Sequence, residues 1–316
     1  MLKFLSYRLL ATIPTLLIVS VLAFALMHLL PGSMARLIVG DTATPEQVAE
    51  VEARLGLDDP LPAQYVRWTT DALRGDFGES LVTQPGRSVT AMLSESLPPT
   101  LSLAGMSILI MVGVGIPLGV AAAARSGGFL DRAITVATSV WLAIPTFWMA
   151  ILLVRWFAAE LGWFRSFGYT GLSKSFTGWL GSVILPSIAL AGSSAAIIAR
   201  QTRGAMIETL QADYVRTALA RGVSRRGVLF RHALRNALVP VVTMIGIQSA
   251  FVLGGSLIVE QVFGIAGLGR LATGAVLNQD VPVLQAFVVV MALMVILVNL
   301  LVDVAYGFLN PKVRPS

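Results

Sequence analysis

The chain carries few side chains able to do chemistry, and their spacing excludes most of it. Its three lysines are Lys3, Lys174 and Lys312. None follows a glycine, so none can complete a P-loop, in which backbone amides and an ammonium cradle phosphates. His28 and His232 stand far apart in sequence and cysteine is absent, which leaves no histidine or thiolate metal site and no histidine triad to assemble. Gly113-Val-Gly-Ile-Pro-Leu-Gly119 has the wrong spacing for a dinucleotide fingerprint. It lies in an apolar run, where small residues let helices approach closely. What remains is arginine. Eight fall between Arg200 and Arg235, most of them in Asp213-Tyr-Val-Arg-Thr-Ala-Leu-Ala-Arg-Gly-Val-Ser-Arg-Arg-Gly-Val-Leu-Phe-Arg-His-Ala-Leu-Arg-Asn-Ala-Leu-Val-Pro240. Guanidinium groups without catalytic companions suit docking to a surface.

The spacing within this segment predicts two short helices meeting at a glycine. Residues 213–221 are helical in composition, Gly222 allows the chain to turn, and Ser224 is placed to cap a second helix running toward Asn236. Val215, Ala218 and Leu219 in the first helix, and Val228, Leu229 and Leu234 in the second, would give each helix one face turned from water. Small Ala218 and Ala220 suit close approach to another surface. Two occupants of that surface fit: a partner protein, or anionic lipid beneath an amphipathic helix.

The elements that must position this segment are membrane spans. The composition is 56% hydrophobic and 13% charged, with a mean hydropathy of +0.79, far from the average of soluble domains. Crossing about 30 Å of hydrocarbon takes roughly 20 helical residues. Six uncharged runs meet that length: 9–30, 100–124, 133–154, 175–199, 236–259 and 281–302. The first follows Lys3 and Arg8 but is too long for a signal peptide and lacks a small-residue cleavage site, so it is read as a retained span. With both termini cytoplasmic, Lys3, Arg8, Arg125, Arg132, the eight arginines of 200–235, Lys312 and Arg314 all lie inside. The short loops opposite hold only Arg155, Arg165, Lys174 and Arg270, in accord with the positive-inside rule. Nucleic acid is excluded as a partner, because the arginines adjoin spans and no aromatic stacking platform accompanies them.

The spans are free of charge, with Glu260 and Asp303 falling just past the ends of the fifth and sixth and Arg155 past the third. A carrier coupled to protons or sodium keeps ionisable groups near the bilayer midplane, so a stand-alone secondary carrier is disfavoured and the energy source is expected outside the chain. Neutral polar residues, Ser102, Thr135, Thr138, Ser139, Ser193, Ser194 and Gln248, are the candidates for lining a path. Between the first two spans lies a soluble segment. Thr44-Pro-Glu-Gln predicts a capped helix to about Leu55, a second helix follows Pro62 with Tyr65, Trp68 and Leu73 at helical spacing, and Gly75-Asp-Phe-Gly-Glu-Ser80 reads as a turn. It caps the outer mouth of the bundle, meets an extracytoplasmic partner, or does both.

The docking segment resembles the cytoplasmic loop of permease subunits of the ABC dipeptide, oligopeptide, glutathione and nickel importers. The residues that carry the resemblance are Asp213-Tyr-Val-Arg-Thr-Ala-Leu-Ala-Arg-Gly222 and Arg231-His-Ala-Leu-Arg-Asn-Ala-Leu-Val-Pro240. Leu30-Pro-Gly32, Leu55-Gly-Leu-Asp58, Gly75-Asp-Phe-Gly78, Gly267-Leu-Gly-Arg-Leu271, Val298-Asn-Leu-Leu-Val-Asp303, Tyr306-Gly and Asn310-Pro311 extend it over nearly the whole chain. Three places depart from the family pattern: Arg216-Thr217, a change common in the peptide branch, Ser33-Met34, and Ala266.

The resemblance implies an all-α membrane protein with the type I ABC importer permease fold and six transmembrane helices. It implies a tail and first helix over 1–30, an extracytoplasmic helical segment over 31–95, a transmembrane domain over 96–308 with its coupling loop at about 200–236, and a cytoplasmic tail over 309–316. Asp213, Tyr214, Arg216, Thr217, Ala218, Arg221 and Gly222 would couple to an ATP-hydrolysing subunit. The implied partners are a second homologous permease, two ATP-binding subunits that hold the ATP and magnesium, an extracytoplasmic solute-binding protein and membrane lipid. The chain itself would then be no enzyme and carry no cofactor or metal. The implied solute is a peptide, with nickel or another solute as the alternative.

Overall fold

The computed structural model describes residues 2–29, 34–39 and 43–309. Pro31, Gly32 and Ser33, the tail from 310 onward and the Asn310-Pro311 motif lie outside the described residues. Among those described the architecture is helical. In chain order the elements are α1 (Leu2–Leu29), α2 (Met34–Val39), α3 (Pro45–Leu55), α4 (Leu61–Leu73), α5 (Val89–Ala124), α6 (Phe129–Ala143) and α7 (Thr146–Leu153). They continue as α8 (Phe176–Gln211), α9 (Asp213–Ala220), α10 (Arg225–Gly227), α11 (Leu234–Phe263), α12 (Leu268–Leu277) and α13 (Val281–Leu309). Two π-helical stretches, Val154–Glu160 and Val228–Ala233, extend α7 and introduce α11.

The chain divides into two compact units, one built on Pro99–Ile265 with the chain ends, the other on Leu10–Pro98 with Ala266–Met294. In the first, α8 is the central post, touching α6, α7, α9 and α11. Of its most apolar window 72% is buried, against 6% for α13, which leaves α13 an outward apolar surface suited to lipid. Hydrocarbon offers no hydrophobic drive for pairing helices, so close packing of small residues must supply it. Gly115 and Gly119 of α5 do so: a Cβ at Gly119 would lie 2.5 Å from the Ala199 carbonyl oxygen, and one at Gly115 would lie 2.8 Å from that of Ala195. Gly192 of α8 likewise gives room to the Trp141 indole.

Four helices are long and apolar enough to cross a membrane, and a fifth span is formed if the pair Phe129–Ala143 and Thr146–Glu160 counts as one. The expected count of six is not reached by length and composition among the described residues. In α1 the described apolar stretch is Leu10–Ala25. The run 133–154, expected to be one span, bends by 100°. The cause is Pro145: the residue before a proline is driven from the helical region, and Ile144 is extended at φ −92° and ψ 123°. The helices also outrun the apolar stretches. Glu260, expected past the fifth span, lies inside α11, fully buried, and accepts the Thr100 hydroxyl at 2.7 Å.

The second unit is organised by polar backbone pairing. Thr44 caps α3 in a reciprocal box with Gln47, as its sequence predicts. Phe24, Tyr65 and Trp68 pack edge-on and tilted with ring centroids 5.5 to 6.4 Å apart, although Leu73, at the same helical spacing, is exposed. The turn at 75–78 is closed by Asp76, which accepts the Gly78 N–H at 2.9 Å, and residues 78–89 fold back through Ser80 N–H to Arg87 O and Val89 N–H to Gly78 O. Asp280, at the start of α13, clasps this fold. Its carboxylate accepts the Ser80 hydroxyl at 2.5 Å and the N–H groups of Leu81, Val82 and Thr83 at 3.2, 3.3 and 2.8 Å.

Burial pushes the Asp280 carboxyl up, but the Ser80 hydroxyl and the Thr83 and Leu81 N–H groups outweigh it and hold it below the usual carboxylate range. A lowered folded value stabilises above the unfolded pKa of about 3.9 and is lost as pH falls through the folded value. Asp280→Asn is therefore expected to speed amide exchange at Leu81 and Thr83 roughly tenfold or more at pH 7, the scale of a hydrogen bond to a charged group, and by progressively less as pH falls through the lowered folded value; hydrogen exchange read by mass spectrometry checks both. Gly119→Ala is expected to cost roughly 1–3 kcal/mol by overpacking. Gly113→Ala, whose Cβ meets open space, is expected to cost nothing; thermal unfolding in detergent compares them.

Candidate functional site

The segment singled out by its arginines forms a short helix with a closed C-terminus. Helix α8 stops because Ala212 turns extended, at φ −67° and ψ 146°, and α9 restarts at once with Asp213 at its positive end, a placement favoured by the helix dipole. Its end is a Schellman motif: Gly222 N–H donates to Leu219 O at 3.0 Å and Val223 N–H to Ala218 O at 3.1 Å. That geometry needs a left-handed residue, and Gly222 has φ +82°. Ser224 then accepts the Gly227 N–H at 3.2 Å, starting α10 as its position predicts.

One side of α9 is anchored. Val215 is 1% exposed, and the Tyr214 hydroxyl accepts from Asn236 Nδ2 of α11 at 2.8 Å. The π-helical stretch behind it places Ala233 against Val120 and Ala123 of α5, Ala205 and Met206 of α8 and Ala237 of α11. The other side is open. Asp213, Arg216, Thr217, Arg221 and Gly222 are exposed and Ala218 is half-buried, so all the sequence-predicted coupling residues share one helix and its cap. The expectation of a single water-avoiding face fails at Leu219, which is 44% exposed beside Tyr214 at 43%. Both project apolar surface among the arginines, since α9 has only two full turns and Val215 already fills the one inward position. The Arg216–Asp213 pair, at 4.0 Å between exposed side chains, adds little.

Sequence reasoning placed Arg203 with the solvated arginines, but it is a structural bridge. Its guanidinium holds both oxygens of Asp131 at 2.5 and 2.8 Å, and Asp131 also accepts the Gly127 N–H at 2.8 Å. This ties α6 to α8 one helical stretch before α9. The only signal in the sequence was a carboxylate beside Arg132 at the edge of an apolar run. Among the path candidates, Ser194 and Gln248 are buried, the Ser194 hydroxyl donating to Gln248 Oε1 at 3.0 Å and the Gln248 Nε2 turning to the Met244 sulfur. Thr138 is buried and bonds back to Ile134 and Thr135 carbonyls, and Ser102 pairs with the Tyr169 hydroxyl at 2.9 Å. Thr135 and Ser139 remain exposed. Among the described residues no group of three His, Asp or Glu is placed to hold a metal ion.

Residues 115–315 match the family described as binding-protein-dependent transport system inner membrane component, and residues 1–104 match the N-terminal membrane component of such systems. The chain belongs to this family. The permease is 42% identical to a probable peptide ABC transporter permease protein of Sinorhizobium fredii over 97% of both chains. It is 43% identical to the glutathione transport system permease protein GsiC of Salmonella typhi over 99% of both. Among solved structures it resembles the MetNI methionine ABC transporter in an inward-facing conformation, with a TM-score of 0.58 at 18% identity, covering 70% of this chain and 97% of that one. An amino acid ABC transporter gives 0.51 at 18% identity, over 69% and 94%. The fold of the permease is thus that of type I ABC importer permeases, and it is a multi-pass protein of the inner membrane.

Val215→Asp is expected to place a charge in a closed position and to lower the thermal unfolding midpoint by several degrees, the scale of burying an unpaired charge. Arg216→Ala is expected to leave it unchanged within about 0.5 kcal/mol, so that any effect of Arg216→Ala on transport reports contact rather than folding.

Proposed function

We propose that this permease imports short peptides, di- or oligopeptides or glutathione-like solutes, as one half of an ABC importer channel. The observation that carries the proposal is identity of 42–43% along almost the full length to relatives named for peptide and glutathione transport. The energy comes from ATP hydrolysed, with magnesium, on two partner subunits; this chain supplies no cofactor and no catalytic group. A second homologous permease completes the channel and an extracytoplasmic solute-binding protein delivers the solute. Both termini are cytoplasmic, which the bias of Arg125, Arg132 and the arginines of 200–235 supports, and residues 31–95 form the extracytoplasmic segment.

In this reading α9 is the coupling helix. Its outward Tyr214, Arg216, Thr217, Ala218 and Arg221 seat against an ATP-binding subunit, and the Gly222 cap gives the chain its turn. The anchoring of Val215 and Ala233 under it lets a push on α9 reach α8 and α11 as displacement rather than as local unfolding. The test is a mild-detergent pull-down of the tagged chain from its native membrane, with ATPase assay and mass spectrometry of the eluate, run beside peptide uptake in cells. Recovery of two ATP-binding subunits and a second permease is expected, with their loss on deletion of residues 213–222. Gly222→Trp is expected to abolish uptake with insertion intact, and unchanged uptake would remove α9 from the coupling role.

A further inference from the structure

The unit formed by Leu10–Pro98 and Ala266–Met294 carries an open pocket of about 260 Å³ whose lining is unusually rich in carboxylates for this chain. Phe24 and Trp68 line it, with the carboxylates of Asp71, Asp76 and Glu79 and the amide of Gln285. In a protein with 17 acidic residues among 316, three carboxylates around one small cavity are a concentration of negative charge. Arg67 also lines it, but its guanidinium already pairs with Asp59 at 2.7 Å. Asp76 is committed to the Gly78 N–H, whereas neither Asp71 nor Glu79 has a side-chain partner among the described residues.

A second observation points to a ligand. Gln285 is 4% exposed, yet its Nε2 donates to nothing among the described residues. A buried donor left unmade is costly, and such groups mark places where an unseen acceptor belongs. The cavity thus asks for two things at once: a cation for the carboxylates and aromatic faces, and an acceptor for a buried amide. Its volume is below the roughly 300 Å³ at which sites for drug-sized ligands begin, so it suits one end of a chain molecule. A peptide amino terminus has both parts, an ammonium and, two bonds away, an amide carbonyl.

We propose that this cavity binds the amino-terminal end of a short peptide, with the ammonium against Asp71 and Glu79 and the first carbonyl accepting from Gln285. The site rests on the peptide reading for its solute but not on α9 or on coupling. It gives the permease a peptide contact of its own, separate from α9, and one that selects for a free amine while ignoring side chains.

The test uses the full chain in lipid nanodiscs, with trialanine, N-acetyl-trialanine and Nα-acetyl-Ala-Ala-Lys as probes in saturation-transfer NMR and calorimetry. Trialanine is expected to bind, and acetylation of its amino terminus to weaken binding by about tenfold or more, the loss of a charge-assisted hydrogen bond. The double variant Asp71→Asn with Gln285→Leu is expected to lose trialanine to the same extent; the comparison of acetylated and free peptide on the unaltered chain holds even where that variant folds poorly. Equal binding of trialanine and its acetylated form would overturn the site. Equal binding of Nα-acetyl-Ala-Ala-Lys and trialanine would also overturn it, in favour of any primary ammonium, such as a lysine of a partner protein. Peptide uptake that depends on the chain, without amine-selective binding, would sink this site and leave the importer intact. Amine-selective binding without peptide uptake would do the reverse.

Discussion

The structure depends on how closely α5 can lie against α8. Inside hydrocarbon the backbone must satisfy itself within each helix, so what distinguishes one helix arrangement from another is the fit of the surfaces in contact. Gly115 and Gly119 on one side meet Ala195, Ile198, Ala199 and Thr202 on the other, and the absence of two Cβ atoms sets the distance between these helices. Everything that concerns coupling hangs from α8 after that contact: the Arg203 bridge to Asp131, the break at Ala212, and α9 itself. A wider gap would leave Met206, Ala233 and Ala237 without the shared core on which the exposed helix rests.

Where sequence was legible, it was so because a local rule acted alone. Thr44 with Pro45 and Gln47 marked the start of α3, Gly222 and Ser224 marked the bend beyond α9, and Gly115 with Gly119 four residues on marked a packing face, while Gly113 of the same run faces open space. The apolar runs located α5, α8, α11 and α13 but misjudged their ends, because helices continue into polar residues wherever a partner is supplied, as Thr100 supplies one to Glu260. The bend in the third run was not legible for a different reason. Apolar composition measures the cost of immersion, and it is blind to the one proline whose ring decides backbone direction.

The candidate site shows the same division. The seven residues assigned to it from sequence do sit on one helix and its cap, since helix, turn and cap are local. Which of them face outward was not legible, because that depends on Val215 being covered and Tyr214 reaching Asn236 of α11, contacts set by the tertiary fold. The basic segment also concealed two populations of arginine. Arg203 and Arg216 are alike in composition, yet one is a bridge between helices and the other projects freely; only the distant Asp131 separates them.

The π-helical stretch at Val228–Ala233 stands between α9 and the span that follows it. Such a stretch holds one residue more than an α-helical turn requires, and exchanging it for ordinary helix moves what lies before it by about 1.5 Å and about 100° of rotation. The connection between the exposed helix and α11 therefore has slack of fixed size. The one extra residue thus sets a fixed offset: the side chains before the stretch are turned by about 100° from the directions an unbroken α-helix leading into α11 would give them.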